Sequence, residues 1–418
     1  MKYVIIILLA VFLAGCSSTP AADPQSTDPI ERREVLAESD ETQQDAQAVR
    51  QREEQLAEVF RRQAELTPAE LIARGIEFAM NGEYEKATQE FTKAINADPE
   101  NFNAYILRAR VIFASVSDVT KVEENFSGII YNSATGQLTN AQTQAYDKSI
   151  EDLNQALRIK PEDAETYTRR GRVNAEKGNF EGAIADYSEA IKLNPNFARA
   201  FNGRGNANFD SNKTDPAIAD FTEAIRLHPE YSEAYNNRGL AYASKQDNDR
   251  AIADYTQAVR IDPGFAIAFN NRGIAYLNKN DFNRAIADFG EAIKLNPQYA
   301  AAFTNRGNAY NRSQDYDRAI ADFDEAIRLN PNNASAFGSR GLAYANKGTR
   351  NSAIADYTQA IRLNPNNAIA YNNRGVEYFN ARDFNRAITD FEAVLRIEPE
   401  NSGARENLDG ARDMRGRR

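Results

Sequence analysis

An all-α chain of about nine stacked helix-turn-helix units is what the sequence predicts, on three observations. Pro161, Pro195, Pro229, Pro263, Pro297, Pro331, Pro365 and Pro399 stand at a strict spacing of 34 residues. Gly171, Gly205, Gly239, Gly273, Gly307, Gly341 and Gly375 keep the same period, each ten residues after a Pro. Within each period, apolar residues such as Ala285, Ile286, Phe289, Ala292 and Ile293 fall at i, i+1, i+4, i+7 and i+8, which is one face of a helix. A unit this short cannot bury such a face alone, so neighbouring units must stack into a continuous core.

Two helices fit in each period. The first carries Phe269, Gly273 and Tyr276; the second runs through Ala285 and Phe289 and is ended by Pro297. Small residues such as Gly273 and Ala285 let the two approach closely, and the aromatics fill the space between units. This order of aromatic, Gly, Tyr, Ala, Phe, Ala and Pro resembles the tetratricopeptide repeat family. The resemblance covers residues 67–401 as nine units. The first unit has Leu71, Gly75, Phe78, Ala87, Phe91, Ala94 and Pro99; the second begins at Tyr105 and has Ala109 in place of Gly. Asn174 and Asn208 depart from the pattern, standing where an aromatic is usual. The resemblance implies a right-handed α-α superhelix whose first helices line a concave groove, and a role in protein-protein interaction without catalysis or cofactor.

The amino terminus reads as an address. MKYVIIILLAVFLAGC has one Lys, an apolar core from Val4 to Leu13 that is short for a membrane span, and small residues before Cys16. Leu13-Ala14-Gly15-Cys16 resembles the lipobox of bacterial lipoproteins, which implies a signal peptide over 1–15 and a Cys16 bearing acyl chains. Several chains on one terminus give stable anchoring where one would not. Ser17 after the Cys implies, by the same resemblance, the outer membrane of a diderm cell. Residues 16–29 are rich in Pro, Ser and Asp and read as a flexible tether, with a reach of roughly 40 Å when extended. Residues 30–66 turn to Glu, Gln, Arg and Ala with Val49, Leu56, Val59 and Phe60 on a loose stripe. That is a charged helix, which either packs onto the following domain or makes the protein an oligomer.

Composition narrows the function. The 418 residues carry a formal net charge of -10, which disfavours nucleic acid because phosphate binding needs clustered Lys and Arg. One Cys, one His and no Trp leave zinc sites, Ser/His or Cys/His triads and disulfide frameworks without their ingredients. His228 precedes Pro229 and reads as a turn residue.

A basic and an acidic residue recur in step. Arg74, Arg108, Arg170, Arg204, Arg238, Arg272, Arg306, Arg340 and Arg374 hold one place in all nine units; Glu90, Asp152, Asp186, Asp220, Asp254, Asp288, Asp322, Asp356 and Asp390 hold another. A partly buried Arg needs a carboxylate, so pairs such as Arg272 with Asp288 and Arg306 with Asp322 are expected to be scaffold.

Binding is then left to the groove or to an insertion. Groove columns contain Asn202, Asn236, Asn270 and Asn372 in one row, and Asn206, Leu240, Ile274, Asn308, Leu342 and Val376 one turn later. Asn offers a donor and an acceptor, so such a row suits the backbone of an extended peptide; the alternative is that Asn near a helix start is solvated or a cap. Arg199 and Arg312 are isolated cations there. From Pro99 to Pro161 is 62 residues, one period plus an insertion of 28 near 114–141, with a hairpin-like stretch from Ile129 to Thr139. Residues 402–418 read as a polar capping helix with a basic tail, Ala404, Leu408 and Ala411 forming its apolar side.

The expectation is therefore a lipid-anchored adaptor or scaffold in the bacterial cell envelope that binds extended segments of protein partners. Its alternatives are a structural oligomer and, by family resemblance, a pilot for an envelope complex such as a secretin or pilus.

Overall fold

The computed structural model describes residues 66–116 and 138–417, with a few helical positions between 47 and 55. The signal segment, Cys16, the tether, most of the charged segment 30–66 and all but Leu138 and Thr139 of the hairpin-like stretch lie outside the described residues. The chain divides into two units, Met1–Ala73 and Arg74–Arg418. In the described part of the first, the Thr67 N–H donates to Glu70 Oε2 at 2.8 Å and the Glu70 N–H returns to Thr67 Oγ1 at 3.3 Å, closing a capping box.

Nineteen helices follow among the described residues, in order α1 Pro68–Met80, α2 Tyr84–Ala97, α3 Phe102–Val116, α4 Asn140–Ile159, α5 Ala164–Glu176, α6 Phe180–Leu193, α7 Ala198–Asp210, α8 Thr214–Leu227, α9 Ser232–Ser244, α10 Asn248–Ile261, α11 Ala266–Asn278, α12 Phe282–Leu295, α13 Ala300–Arg312, α14 Tyr316–Leu329, α15 Ala334–Asn346, α16 Arg350–Leu363, α17 Ala368–Asn380, α18 Phe384–Ile397 and α19 Ser402–Gly416. No strand interrupts them among the described residues, and the expected α-α superhelix is the fold. Odd-numbered helices through α17 are first helices of their repeats; each even-numbered partner is the second. No described helix is long and apolar enough to cross a membrane.

Local chemistry sets each boundary. Asp247, Asp281, Asp315 and Asp383 cap α10, α12, α14 and α18 by accepting from the backbone N–H three residues on. At the other end the Asn296 N–H still reaches Ala292 O, and Pro297, with no N–H to give, stops the helix. Among the described residues, the turn inside each of eight repeats has one left-handed residue. Gly82, Gly178 and Gly348 supply it in three repeats, while Asn212, Gln246, Asn280, Gln314 and Arg382 adopt it with φ between 60° and 66°.

The core is alanine against aromatic. Phe289 is fully buried among Ala285, Ala309, Tyr276, Leu277 and Ile286, so it joins its own repeat to the next. The ring lies against the backbone of Gly273: a Cβ there would stand 2.7 Å from Phe289 Cε1, closer than real contacts allow. At the carboxyl end Ala404, Leu408 and Ala411 of α19 are buried and close the stack. The insertion proves shorter at its edges than its residue types suggest, because α3 continues to Val116 and a capping box of Thr139 with Gln142 starts α4 at Asn140.

Candidate functional site

Seven of the nine recurrent arginines, all but Arg74 and Arg306, are engaged on three sides. Arg272 Nε and Nη2 each donate to Asp288 carboxylate oxygens at 2.7 Å, Nη1 reaches Thr256 Oγ1 of the preceding repeat at 3.3 Å, and the guanidinium lies 5.5 Å from the Phe269 ring. Asp288 holds that guanidinium above its ordinary pKa. Arg306 repeats the fork on Asp322 with two bonds of 2.8 Å. The partners are sixteen residues apart in these repeats, but Arg108 finds Asp152 at a separation of 44, at 2.9 and 2.6 Å. The chain therefore leaves between the two members of a pair, adds its insertion and returns without losing the pair. Where Asn174 and Asn208 replace the aromatic, their amides donate to Asp186 and Asp220 at 2.9 and 3.0 Å, so the substitution adds a hydrogen bond to the same carboxylate.

The asparagine row is placed differently from the expectation of open groove contacts. Asn202, Asn236 and Asn270 are only 3%, 3% and 4% exposed. Their Oδ1 atoms accept from Asn237, Asn271 and Asn305 of the next repeat at 3.2, 3.0 and 3.0 Å, and Asn372 accepts from Asn407 at 3.2 Å. These bonds join α7 to α9, α9 to α11, α11 to α13 and α17 to α19, and the ladder lapses where Thr304 and Gly338 stand in place of the Asn. Arg312 is also committed, donating to Leu277 O at 3.1 Å and to Asn280 while it covers the Phe282 ring. Arg199 is the open cation of the two, 62% exposed and 3.2 Å from Glu165.

What the first helices present to solvent is the row one turn on. Leu240, Ile274 and Leu342 are 37%, 36% and 40% exposed, with Asn308 and Val376 half-buried in the same column. Earlier in the column, Asn206 Nδ2 is buried with no partner, and so is Asp210 Oδ2 one turn beyond. Burial first, and then the charge of Glu176, pushes the Asp210 carboxyl up to about 6. The folded state thus holds that proton at a pH where the unfolded chain, near 3.9, has lost it. The Asp210 contribution is fully present below about pH 4 and is lost as pH rises through 6. Asp210→Asn is expected to melt with the wild type at pH 4 and above it at pH 7.5; equal melting temperatures at both would show the group to be solvated.

Sequence reasoning missed a cluster at the amino-terminal end of this face. Gly203 stands where later repeats have Asn237, Asn271 and Asn305, and lets the buried Tyr187 ring pack against its backbone, 2.5 Å from where a Cβ would lie. A cavity of about 630 Å³ opens there, lined in part by Arg110, Arg169, Arg172, Arg199 and Asn202. A second, of about 130 Å³, shares Arg110, Arg169 and Arg172. The available signal was two arginines, Arg110 and Arg172, in the column that later holds Asn, Leu and Ile.

Comparison with known proteins agrees with this geometry. One tetratricopeptide repeat model matches residues 202–264 and 270–334, a TPR repeat model matches 171–212 and 351–381, and a further tetratricopeptide repeat model matches 368–401, together half of the chain. No curated protein matches the sequence. Among solved structures, the APC/C hetero-tetramer Cut9-Hcn1 is similar over 82% of this chain and 76% of its own, at 17% identity and a TM-score of 0.51. A tetratricopeptide repeat protein from Parabacteroides merdae is 20% identical, with 59% of this chain and 98% of that one covered and a TM-score of 0.48. YrrB, described as a TPR protein with an unusual peptide-binding site, is 24% identical over 45% of this chain and 96% of its own, with a TM-score of 0.38. At these identities the likeness is one of fold. The chain belongs to the tetratricopeptide repeat family.

Proposed function

We propose that the protein is a non-catalytic scaffold that holds an extended segment of a protein partner along the face of its first helices, and that acyl chains on Cys16 tether it to a bacterial envelope membrane. The observation that carries the binding half is the row Leu240, Ile274 and Leu342, three large apolar side chains left more than a third exposed at the same place in their repeats. Scattered exposed leucines are ordinary, but a periodic column of them is a surface with a use. Packed helices lie roughly 8–10 Å apart, about the rise of three residues of extended chain. A partner segment in the polyproline-II conformation, with three residues per turn, would then place one side chain on each repeat. The asparagine ladder serves this reading by fixing the distance between repeats.

The tethering half is supported by Leu13-Ala14-Gly15-Cys16 after an apolar leader. One experiment addresses both halves: the full chain expressed in a diderm bacterium, fed a clickable palmitate analogue and crosslinked before recovery. Label in the wild type and none in Cys16→Ala is the expected result; label in neither would end the tether. Leu240→Asp with Ile274→Asp is expected to lose the crosslinked partner without loss of folding, since both sites are solvent-facing. An unchanged catch would move binding off this face, to the insertion or to residues 30–66. Light scattering with and without residues 30–66 separates a scaffold from a structural oligomer.

A further inference from the structure

We infer that the partner segment is uncharged where it crosses α11 to α17, and that an apolar side chain anchors it in a cavity beside Gly410. This rests on the proposal that the first-helix face binds extended segments, and it names which segments.

The two ends of the face differ in kind. In α11 the face is made by Ile267, Asn270, Asn271, Ile274 and Asn278, and in every other first helix by the residues at the same places. In α11, α13, α15 and α17 these places hold one charged residue, Arg312, which is already bonded to Leu277 O and to Asn280. In α5 and α7 six of the ten are charged, Glu165 and Arg199 among them. A chain that is 26% charged, with a net charge of -10, thus leaves this stretch neutral. A Lys, Arg, Asp or Glu of a partner pressed onto it would lose water and find no opposite charge, a cost that the amides there return only in part. The electrostatic complement of such a surface is an uncharged segment. Its limits are marked by Glu233 in α9 and Glu406 in α19.

The carboxyl end supplies the anchor. In the column of Ile274, Leu342 and Val376 the next place belongs to Gly410 of α19, and no side chain closes it. A cavity of about 160 Å³ opens there, lined by Val376, Phe379, Phe391, Glu406, Asn407 and Gly410. A cavity of roughly 150 Å³ holds benzene, so a Leu, Met or Phe side chain is the right scale. A Cβ on Gly410 would meet nothing within 4 Å, so the space is open to a side chain, the protein's own or a partner's. Ile369, on the same helix as Val376, is 73% exposed and adds to the apolar surface. A polyproline-II segment has no internal hydrogen bonds and a solvated backbone, so it asks little of asparagines that are already bonded to one another. Counting one side chain per repeat back from the anchor sets apolar residues on Leu342, Ile274 and Leu240. Between the first two stands Asn308, half-buried, which calls for a hydrogen-bonding residue.

The test is fluorescence anisotropy with the full chain and labelled thirteen-residue peptides with both ends blocked. The parent has Leu at positions 1, 4, 10 and 13, Asn at 7 and Pro, Ser or Ala elsewhere, a pattern that reads alike in both directions. Companions carry Lys at 7, Glu at 7, or Ser at both 1 and 13. The parent is expected to bind roughly tenfold tighter than either charged peptide, and its affinity to be indifferent to salt. Asn308→Asp is expected to reverse the order of the parent and Lys peptides. Gly410→Leu, which fills the cavity from within, is expected to weaken the parent by roughly tenfold and leave the Ser-ended peptide unchanged. A melt beside each variant shows that folding is intact. A Lys or Glu peptide that binds as tightly as the parent, or a Gly410→Leu chain that binds the parent as the wild type does, would overturn the inference and leave the face standing. If no peptide binds, or if Leu240→Asp with Ile274→Asp leaves binding unchanged, the reading of the face fails and takes this one with it.

Discussion

Asp288→Ala is expected to destabilise its repeat by about 3 kcal/mol, because it leaves a mostly buried guanidinium without its counterion. Asp288 is 6% exposed and accepts both bonds of the Arg272 fork. With the acid gone, Arg272 keeps only the 3.3 Å bond to Thr256 and its place over Phe269. Swinging out to water would strip α11 of those contacts as well. Arg272→Met alone is expected to be costly for the mirror reason, since it strands the Asp288 carboxylate. Arg272→Met with Asp288→Leu removes both charges and is expected to recover much of the loss, as buried pairs exchanged for apolar residues commonly do. Hydrogen exchange is the measurement of choice, because a repeat array need not unfold in one step. Faster exchange should centre on α11 and α12 and fade with distance. A loss under about 1 kcal/mol would mean that the pair is a surface interaction, of the kind whose median contribution is small.

Phe289→Ala is the other large effect, with an expected loss of about 4 kcal/mol from lost burial and the cavity left behind. The ring is fully buried and lies between its own repeat and Ala309 of the next, so the damage should cross the repeat boundary. Gly273→Ala should also destabilise, since its methyl would sit 2.7 Å from the ring. Combining the two reverses the sign of the second change: with the ring gone, the new methyl partly fills the hole and alanine is the better helix former. The double variant is expected to be more stable than Phe289→Ala alone. Simple additivity of the two losses in a urea titration would show that ring and glycine are not in contact.

Much of this molecule was legible in its sequence because the sequence repeats. The recurrence of Pro297 and Gly273 located the helix ends and the close approach, and the joint recurrence of Arg272 and Asp288 pointed to a pair before any distance was known. The asparagines were harder. Asn270 looked open because helical period alone puts it on the first-helix face; its burial depends on a lateral neighbour, Asn305, which lies 35 residues away and in a different column. The arginine pocket was hidden for a simpler reason. Arg110 and Arg172 hold equivalent places in adjacent repeats, two residues after Arg108 and Arg170, but the groove columns were followed only from Asn202 and Asn206 onward, which left out the two repeats where the column is basic.

Where a recurrent arginine has its three-sided grip, that grip reaches no further than the repeat before it. Arg306 shows the grip incomplete, because Gly290 stands where Thr256 serves Arg272 and has no side chain to offer. Excising residues 266–299 would set Thr256 before Arg306 and restore the missing bond with every other junction unchanged. The number of modules is therefore free to drift by duplication or loss of 34 codons, and the length of the first-helix face is free to change with it.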